Sequence, residues 1–396
     1  MAALALLVGP WADEAAELAG WDIERFLAIA RESGRAWRDT AVEYPPGSVV
    51  VFELLDRLSP VGSGGVVTAH RLLIVLGLIV DLLVSWLLLR RDRRAGLTYL
   101  LLGLPLVPMG LLRLDLVATL PAVAAVLLVF SPAGPSGRER SGVRIAAAGG
   151  LVAAGAMVKL WPALLIPALW STWRERTAAA GIAAGAVATA LWLVWAGAGL
   201  DPIRQVVDLR GATGWQLESV GGVATALADA VGVRPLGPAE GVRLELDAFR
   251  IGTLTPWVVT AGRALAVAAI AALAWRGRRA TQRSGLPVAG AVMLGGVAAL
   301  IVTSPLLSPQ FLLWLTPWAG LLMIDDHGPS TRRPPSPVVL TAGATILTGV
   351  ALTVFGPPDL AHPLAAAMLA VRNALLVMLP ISCWRWLDRS APPSGG

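Results

Sequence analysis

Lys159 is the one lysine among the 32 Lys and Arg residues of the chain, and it sits inside one of the most apolar stretches, Gly149 to Trp170. A basic group within a membrane segment is costly, so it is read as facing a polar cavity or an anionic partner. An ammonium there can hold negative charge as a compact point charge. Its structural alternative is a side chain that snorkels to the headgroups, because Trp161 and the helix end place it near an interface. Arg372 poses the same problem within Leu364 to Leu379 and is also expected to face a cavity. Arg113 and Asp115 stand at the tip of a hairpin, where they are able to pair with each other. Other chemistries lack their residues. One cysteine, Cys383, excludes an internal disulfide and a cysteine-rich metal site, and three scattered histidines, His70, His327 and His362, argue against a histidine cluster. No metal and no cofactor are expected.

The elements that must position these residues are membrane helices. Hydrophobic residues make up 56% of the chain and charged ones 15%, and runs such as Leu72 to Leu89 and Thr255 to Trp275 are long enough to cross a bilayer. The net charge of +6 invites a nucleic-acid reading, but the arginines fall in short clusters between apolar segments, where they set orientation. The clusters Arg90 to Arg94, Arg138 to Arg144, Arg174 to Arg176, Arg276 to Arg283, Arg332 to Arg333 and Arg385 to Arg389 are therefore expected on the cytoplasmic side. Trp86, Trp170, Trp173, Trp275, Trp384 and Trp386, beside those arginines, are expected to form an interfacial belt.

Between the clusters the apolar segments pair as hairpins: 97 to 112 with 116 to 130, 145 to 157 with 160 to 173, 178 to 197 with 254 to 275, 286 to 303 with 310 to 324, and 338 to 355 with 364 to 384. With 69 to 89 this gives an all-α polytopic membrane protein of about 11 spans, read as one membrane-embedded domain over residues 1–396. Several arms are short and contain Gly or Pro, the pattern of tilted or broken helices around a cavity. The long outer connections are 9–71 and 200–254. Ala2 to Val8 are too few for a span and lack the basic flank of a signal peptide, so a twelfth, first helix is either missing upstream or absent. Ile23, Phe26, Leu27 and Ala30 recur at helical spacing and Pro45-Pro46 stops that helix. Val49 to Leu58, carrying Glu53, Asp56 and Arg57, reads as an interfacial helix.

In those outer loops, Glu43-Tyr44-Pro45-Pro46-Gly47 after Trp37-Arg38-Asp39 resembles the signature of polyprenyl-phosphate-mannose-dependent mannosyltransferases, glycosyltransferase family 87. Further resemblances follow in the family's order: Arg113-Leu114-Asp115, Lys159-Leu160-Trp161-Pro162, Trp215-Gln216-Leu217-Glu218-Ser219, Ser308-Pro309-Gln310-Phe311 and Arg372-Asn373. Phe311 stands where tyrosine is usual.

The resemblance implies a GT-C architecture in which a lipid-linked sugar is transferred on the extracytoplasmic side of the cell membrane and an acidic residue in the first outer loop acts as base. On this chain that residue is Asp22, with Asp39 and Glu43 as rivals; Asp22 as a mere helix cap is the structural alternative. An inverting displacement needs a carboxylate to take the acceptor proton and cations to stabilise the departing polyprenyl phosphate. Lys159 then faces the donor phosphate, while Tyr44, Arg113, Asp115, Gln216, Glu218, Ser219, Gln310 and Arg372 are candidates for donor or acceptor contact. The implied partners are a polyprenyl-phosphate-sugar donor, a glycolipid or polysaccharide acceptor and membrane lipid, with no nucleic acid.

Two rivals remain at this point. A transporter or lipid flippase would also want buried charge and short helices, but no repeated half with matching broken segments is visible. An arabinofuranosyltransferase of the same family, using decaprenyl-phosphate-arabinose, is not separated from a mannosyltransferase by these residues. A nucleotide-sugar enzyme is disfavoured, since there is no strand-rich stretch and no Asp-x-Asp motif in an outer loop.

Overall fold

A computed structural model describes residues 22–33, 37, 42–59, 63–130, 142–166, 185, 205, 212–233, 242–245, 248–280, 285–324, 334–356, 360 and 362–390. Asp39 and the expected span 178–197, apart from Gly185, lie outside the described residues, as does most of 160–173. Among the described residues, five helices are long and apolar enough to cross a membrane, α3 (Ser63–Arg91), α9 (Pro256–Ala280), α10 (Gly285–Thr303), α12 (Ser336–Phe355) and α13 (Pro363–Ser390). The protein is an all-α membrane protein. Its packing divides into two compact units, the first formed by Met1–Val84, Val107–Ala163 and Trp173–Gly211, the second by Ser85–Leu106, Leu164–Thr172 and Ala212–Gly396.

In the first unit, residues 22–31 are helical (α1) and are followed by α2 (Pro46–Leu58). Ile23, Phe26, Leu27 and Ala30 form the buried face that their spacing foretells, packed on Val49, Phe52 and Leu55 of α2 and Ala69 and Leu73 of α3. Phe26 and Phe52 stack at 4.3 Å, and Tyr44 meets both edge-on at 5.6 and 5.1 Å, the geometries that aromatic quadrupoles favour. Pro46 at the start of α2 donates no N–H where none is needed. The other face of α2 exposes Val50, Leu54 and Leu58 beside charged residues, the composition of a helix at a membrane surface. The short α5 (Val107–Gly110) leads to α6 (Asp115–Phe130), which packs along α7 (Gly142–Val158). Gly155 makes that packing close: a Cβ there would lie 3.3 Å from the Ala118 carbonyl oxygen and from the Pro121 ring.

The second unit is centred on α10, which is apolar all round and accordingly buried. Helices α9 and α13 pack against it, with Gly277 beneath Val292 and Gly295 beneath Leu273, and α12 packs on α13. Helix α4 (Arg93–Gly103) packs on the short α11 (Thr316–Leu321).

Two of the expected hairpin arms are not single helices. The 97–112 arm breaks into α4, a 3-10 turn at Leu104–Leu106 and α5, because Pro105 has no N–H to continue the ladder. The 310–324 arm is a 3-10 turn, Pro309–Trp314, followed by α11, each with proline in its first positions. Between α7 and α9 the second unit also holds a helix, α8 (Val220–Ala230), and a small antiparallel sheet in the order β1-β3-β2, built from Trp215–Gln216, Ala248–Ile251 and Arg243–Glu245. Trp215 is opposite Ile251 and Arg243 opposite Arg250. These strands are too short to betray themselves by alternation.

The start of α2 rests directly on the end of α7. A Cβ on Gly47 would fall 2.7 Å from the Met157 carbonyl oxygen, so the two backbones touch only because glycine stands there. Gly47→Ala is expected to force the helices apart and cost about 1–3 kcal/mol. A lowered melting temperature of the detergent-purified protein would register it, and an unchanged one would contradict the contact.

Candidate functional site

Among the described residues two groups of buried and half-buried charges stand out, one within each unit. In the first, α7 cannot continue beyond Val158 because Pro162 follows, and Lys159 emerges at the helix end with its backbone N–H still bonded to the Gly155 carbonyl at 3.0 Å. A helix C-terminus favours a cation. The Lys159 ammonium turns inward: Nζ lies 4.0 Å from Asp115 Oδ1 and 5.2 Å from the centre of the Tyr44 ring. Asp115, the first residue of α6, is fully buried. Two residues earlier, Arg113 forms an ion pair with Asp22 in α1. The hairpin tip therefore sends its two charges to two different elements, Arg113 to α1 and Asp115 to the end of α7. Burial pulls the Arg113 pKa down, but the charges of Asp22, Tyr44 and Asp115 and the hydrogen bond with Asp22 outweigh it and raise it, so the guanidinium stays charged. Glu43 pairs with Arg25 at 3.2 Å. Asp22, Glu43, Tyr44, Arg113, Asp115 and Lys159 are thus brought together, and the rival carboxylate Asp39 lies outside the described residues.

The Glu43-to-Ser48 segment is the clamp of this cluster. Glu43 holds α1 through Arg25, Tyr44 supplies the ring under Lys159, Pro46 starts α2, and Gly47 admits the Met157 carbonyl. Ser48, fully buried, completes it by donating from Oγ to the Val158 carbonyl at 2.5 Å, one residue before Lys159. A further brace comes from Gln205, whose Nε2 donates to the Trp37 carbonyl at 3.0 Å and whose Oε1 accepts from the Val42 N–H at 2.9 Å. Trp37 has φ of 64°, a conformation unusual for a bulky residue that such a brace helps hold. Sequence reasoning passed over Arg25, Ser48 and Gln205. Only the tight spacing of the surrounding motif hinted at Ser48, and nothing pointed to Gln205.

The second group gathers around the Trp215-to-Ser219 segment. Arg372 in α13 is fully buried and donates from Nη2 to the Glu218 backbone carbonyl and from Nε to Asn373 Oδ1 at 3.1 Å; its Nη1 has no hydrogen-bond partner among the described residues. Asn373 Nδ2 reaches the same carbonyl at 3.4 Å. Gln216 Nε2 donates to Ser308 Oγ at 2.8 Å, and its backbone N–H donates to the Pro305 carbonyl at 3.0 Å, which ties the segment to the turn carrying Gln310. Ser219 caps α8, accepting from the Gly222 N–H at 3.0 Å. Arg250, buried in β3, donates to the Gly214 carbonyl. Burial pushes the Glu218 carboxyl up to about 7, against the lowering effects of its own backbone N–H, Arg372, Gln216 and Arg250. Gln216, Glu218, Ser219 and Arg372 therefore do meet, with Arg372 and Ser219 acting on the backbone, and Gln310 is buried nearby in sequence to Ser308. No group of His, Cys, Asp and Glu with metal-holding geometry occurs among the described residues.

The sequence pattern of glycosyltransferase family 87 matches residues 43–309 of the 396. The chain belongs to glycosyltransferase family 87. The matched stretch runs from Glu43, the first residue of the clamp, to Pro309, and so takes in Arg113, Asp115, Lys159 and the Trp215-to-Ser219 segment, while Asp22 precedes it and Gln310 and Arg372 follow. Comparison with curated proteins and with solved structures returned no match. As a glycosyltransferase the protein requires a sugar donor and an acceptor. The transporter reading is set aside on this ground.

Glu218 gives a pH dependence with a definite sign. Its folded pKa, about 7, is above the ordinary 4.5, so the folded state holds the proton longer than the unfolded chain. The stability contributed by the neutral carboxyl is fully present below about 4.5 and is lost as pH rises through about 7. The purified enzyme is expected to melt at lower temperature at pH 8 than at pH 6, and Glu218→Gln to flatten that difference. A difference that survives unchanged in Glu218→Gln would assign it to another group.

Proposed function

We propose that the enzyme transfers mannose from polyprenyl-phosphate-mannose to a glycolipid or cell-envelope polysaccharide acceptor, by inversion and on the extracytoplasmic side of the cell membrane. The observation that carries this reading is the charge cluster of the first unit, in which Asp22, Arg113, Asp115 and Lys159 alternate in sign around Tyr44. A donor phosphodiester is an anion on a lipid tail, and a chain of membrane helices with an inward-turned lysine suits it. The acceptor hydroxyl gives its proton to the Asp22 carboxylate and its oxygen bonds to the anomeric carbon. The bond from that carbon to the phosphate oxygen breaks, and its electron pair leaves on polyprenyl phosphate. Asp22 is neutral after taking the proton, so Arg113 is relieved of its partner as charge grows on the phosphate, where Lys159 supplies the other cation. Tyr44 and Asp115 fix the direction of Lys159. In the second unit Gln216, Glu218 and Gln310 are read as contacts to sugar hydroxyls, with Ser219 and Arg372 holding the segment that carries them.

The test is transfer from radiolabelled polyprenyl-phosphate-mannose in membranes containing the protein, set beside labelled decaprenyl-phosphate-arabinose. Label moved from mannose alone supports the reading; label moved from arabinose alone reassigns the donor. With the preferred donor, Asp22→Asn keeps size and loses basicity, and transfer is expected to fall by about 100- to 10,000-fold. Glu43→Gln is expected to fall less, since Glu43 engages Arg25 and seats α1. Near-normal turnover in Asp22→Asn with collapse in Asp39→Asn or Glu43→Gln would move the base to that carboxylate, and full activity in all three would refute a carboxylate base.

A further inference from the structure

Helices α9 and α13 finish side by side, and their last turns are strongly basic. Arg276, Arg278 and Arg279 close α9; Arg385 and Arg389 close α13; the one acidic residue in either helix, Asp388, forms an ion pair with Arg276. Two of these guanidinium groups are seated on tryptophan rings, Arg279 at 3.9 Å from the centre of Trp275 and Arg276 at 5.7 Å from Trp384. The two rings stack across the helix pair at 6.5 Å with an interplanar angle of 26°. Such seating directs a guanidinium through its face and leaves its N–H edge to bind oxygen.

Orientation in the membrane and the helix dipole account for arginines at these ends. They do not account for the surface beneath. One turn before Arg385 lies Ile381, 52% exposed, and one turn before Arg279 lies Trp275, 50% exposed, with Met378 exposed on α13 below. At a spacing of four residues each arginine stands directly above an apolar side chain on the same helix face. Exposed guanidinium groups over exposed hydrocarbon, at the end of two membrane-spanning helices, match a molecule with an anionic phosphate above acyl chains. We propose that the paired ends of α9 and α13 form a binding site for an anionic phospholipid of the surrounding leaflet. The phosphate lies against Arg279 and Arg385, and the chains run along Trp275 and Ile381. Asp388 holds Arg276 back against Trp384 and so gives the site its floor.

The test is native mass spectrometry of the full-length detergent-purified protein, titrated with phosphatidylglycerol and with phosphatidylcholine of the same acyl chains. The wild type is expected to retain phosphatidylglycerol preferentially, and the preference is expected to weaken as salt is raised. Arg279→Gln with Arg385→Gln should weaken retention of phosphatidylglycerol by about 30-fold, following the contribution of each basic residue at an anionic surface. The corresponding double lysine variant should keep most of it, and Arg57→Gln, an exposed arginine of the first unit, should leave it unchanged. A wild type that binds both lipids alike, a preference that ignores salt, or a glutamine variant with wild-type selectivity would each overturn the proposal. So would displacement of the lipid by inorganic phosphate at equal concentration, which would make the site one for a free anion. If the glutamine variant does not fold, the wild-type salt series and the lysine variant still decide.

Discussion

One half-buried positive charge governs the first unit. An ammonium at the end of an apolar helix must find negative charge, a ring face or a ligand, because leaving it alone in hydrocarbon costs several kcal/mol. Lys159 finds Asp115 and Tyr44, and each of these in turn fixes an element: Asp115 begins α6, and Tyr44 sits before α2 against Phe26 of α1. Asp115 is buried completely, so its charge needs the cations near it, Lys159 at 4.0 Å and Arg113. The Ser48 hydroxyl bonded to the Val158 carbonyl and the absent side chain of Gly47 bring α2 to where this arrangement closes. Order in the loop, the helix ends and the charge cluster is therefore a single requirement met jointly.

The second unit meets a similar demand differently. Arg372 is a cation inside a membrane helix, but its nearest partners are the backbone of the Glu218 turn and an amide, and burial pushes the adjacent carboxyl up to about 7. There the charge holds a polar segment against a membrane helix, where in the first unit it completes an alternating set of ionised groups. Both arrangements belong to a glycosyltransferase, which needs a sugar donor and an acceptor.

Much of this is legible before any coordinates. The long helices α3, α9, α10, α12 and α13 follow from uninterrupted apolar runs, and the buried face of α1 from Ile23, Phe26, Leu27 and Ala30. Lys159 and Arg372 stand out because charge among apolar residues is expensive, and the family motifs pointed to the segments that gather around them. Pairings were not legible. Arg113 beside Asp115 suggested a local pair, yet Arg113 reaches Asp22 in α1; Ser48 meets Val158, 110 residues away, and Gln205 meets Trp37 at a separation of 168. Periodicity describes which face of an element is buried and says nothing about which distant element covers it. The broken arms at 97–112 and 310–324 were readable as short helices through their prolines, but the strands at Trp215, Arg243 and Ala248 were not, since two to four residues leave no alternation to detect.

We propose that Lys159 is held ready for the phosphate of a lipid-linked donor, and donor binding by Lys159 variants tests this directly. Lys159→Met keeps length and apolarity, and it is expected to weaken binding of polyprenyl-phosphate-mannose about 10- to 100-fold, the loss of one charge-assisted hydrogen bond. Lys159→Arg is expected to recover part of it, since charge survives while geometry changes. Because Lys159→Met also removes one of the cations near Asp115, thermal stability must be followed alongside: the arginine variant, which keeps the charge, separates a folding loss from a binding loss. Wild-type donor affinity in a folded Lys159→Met protein would contradict the account.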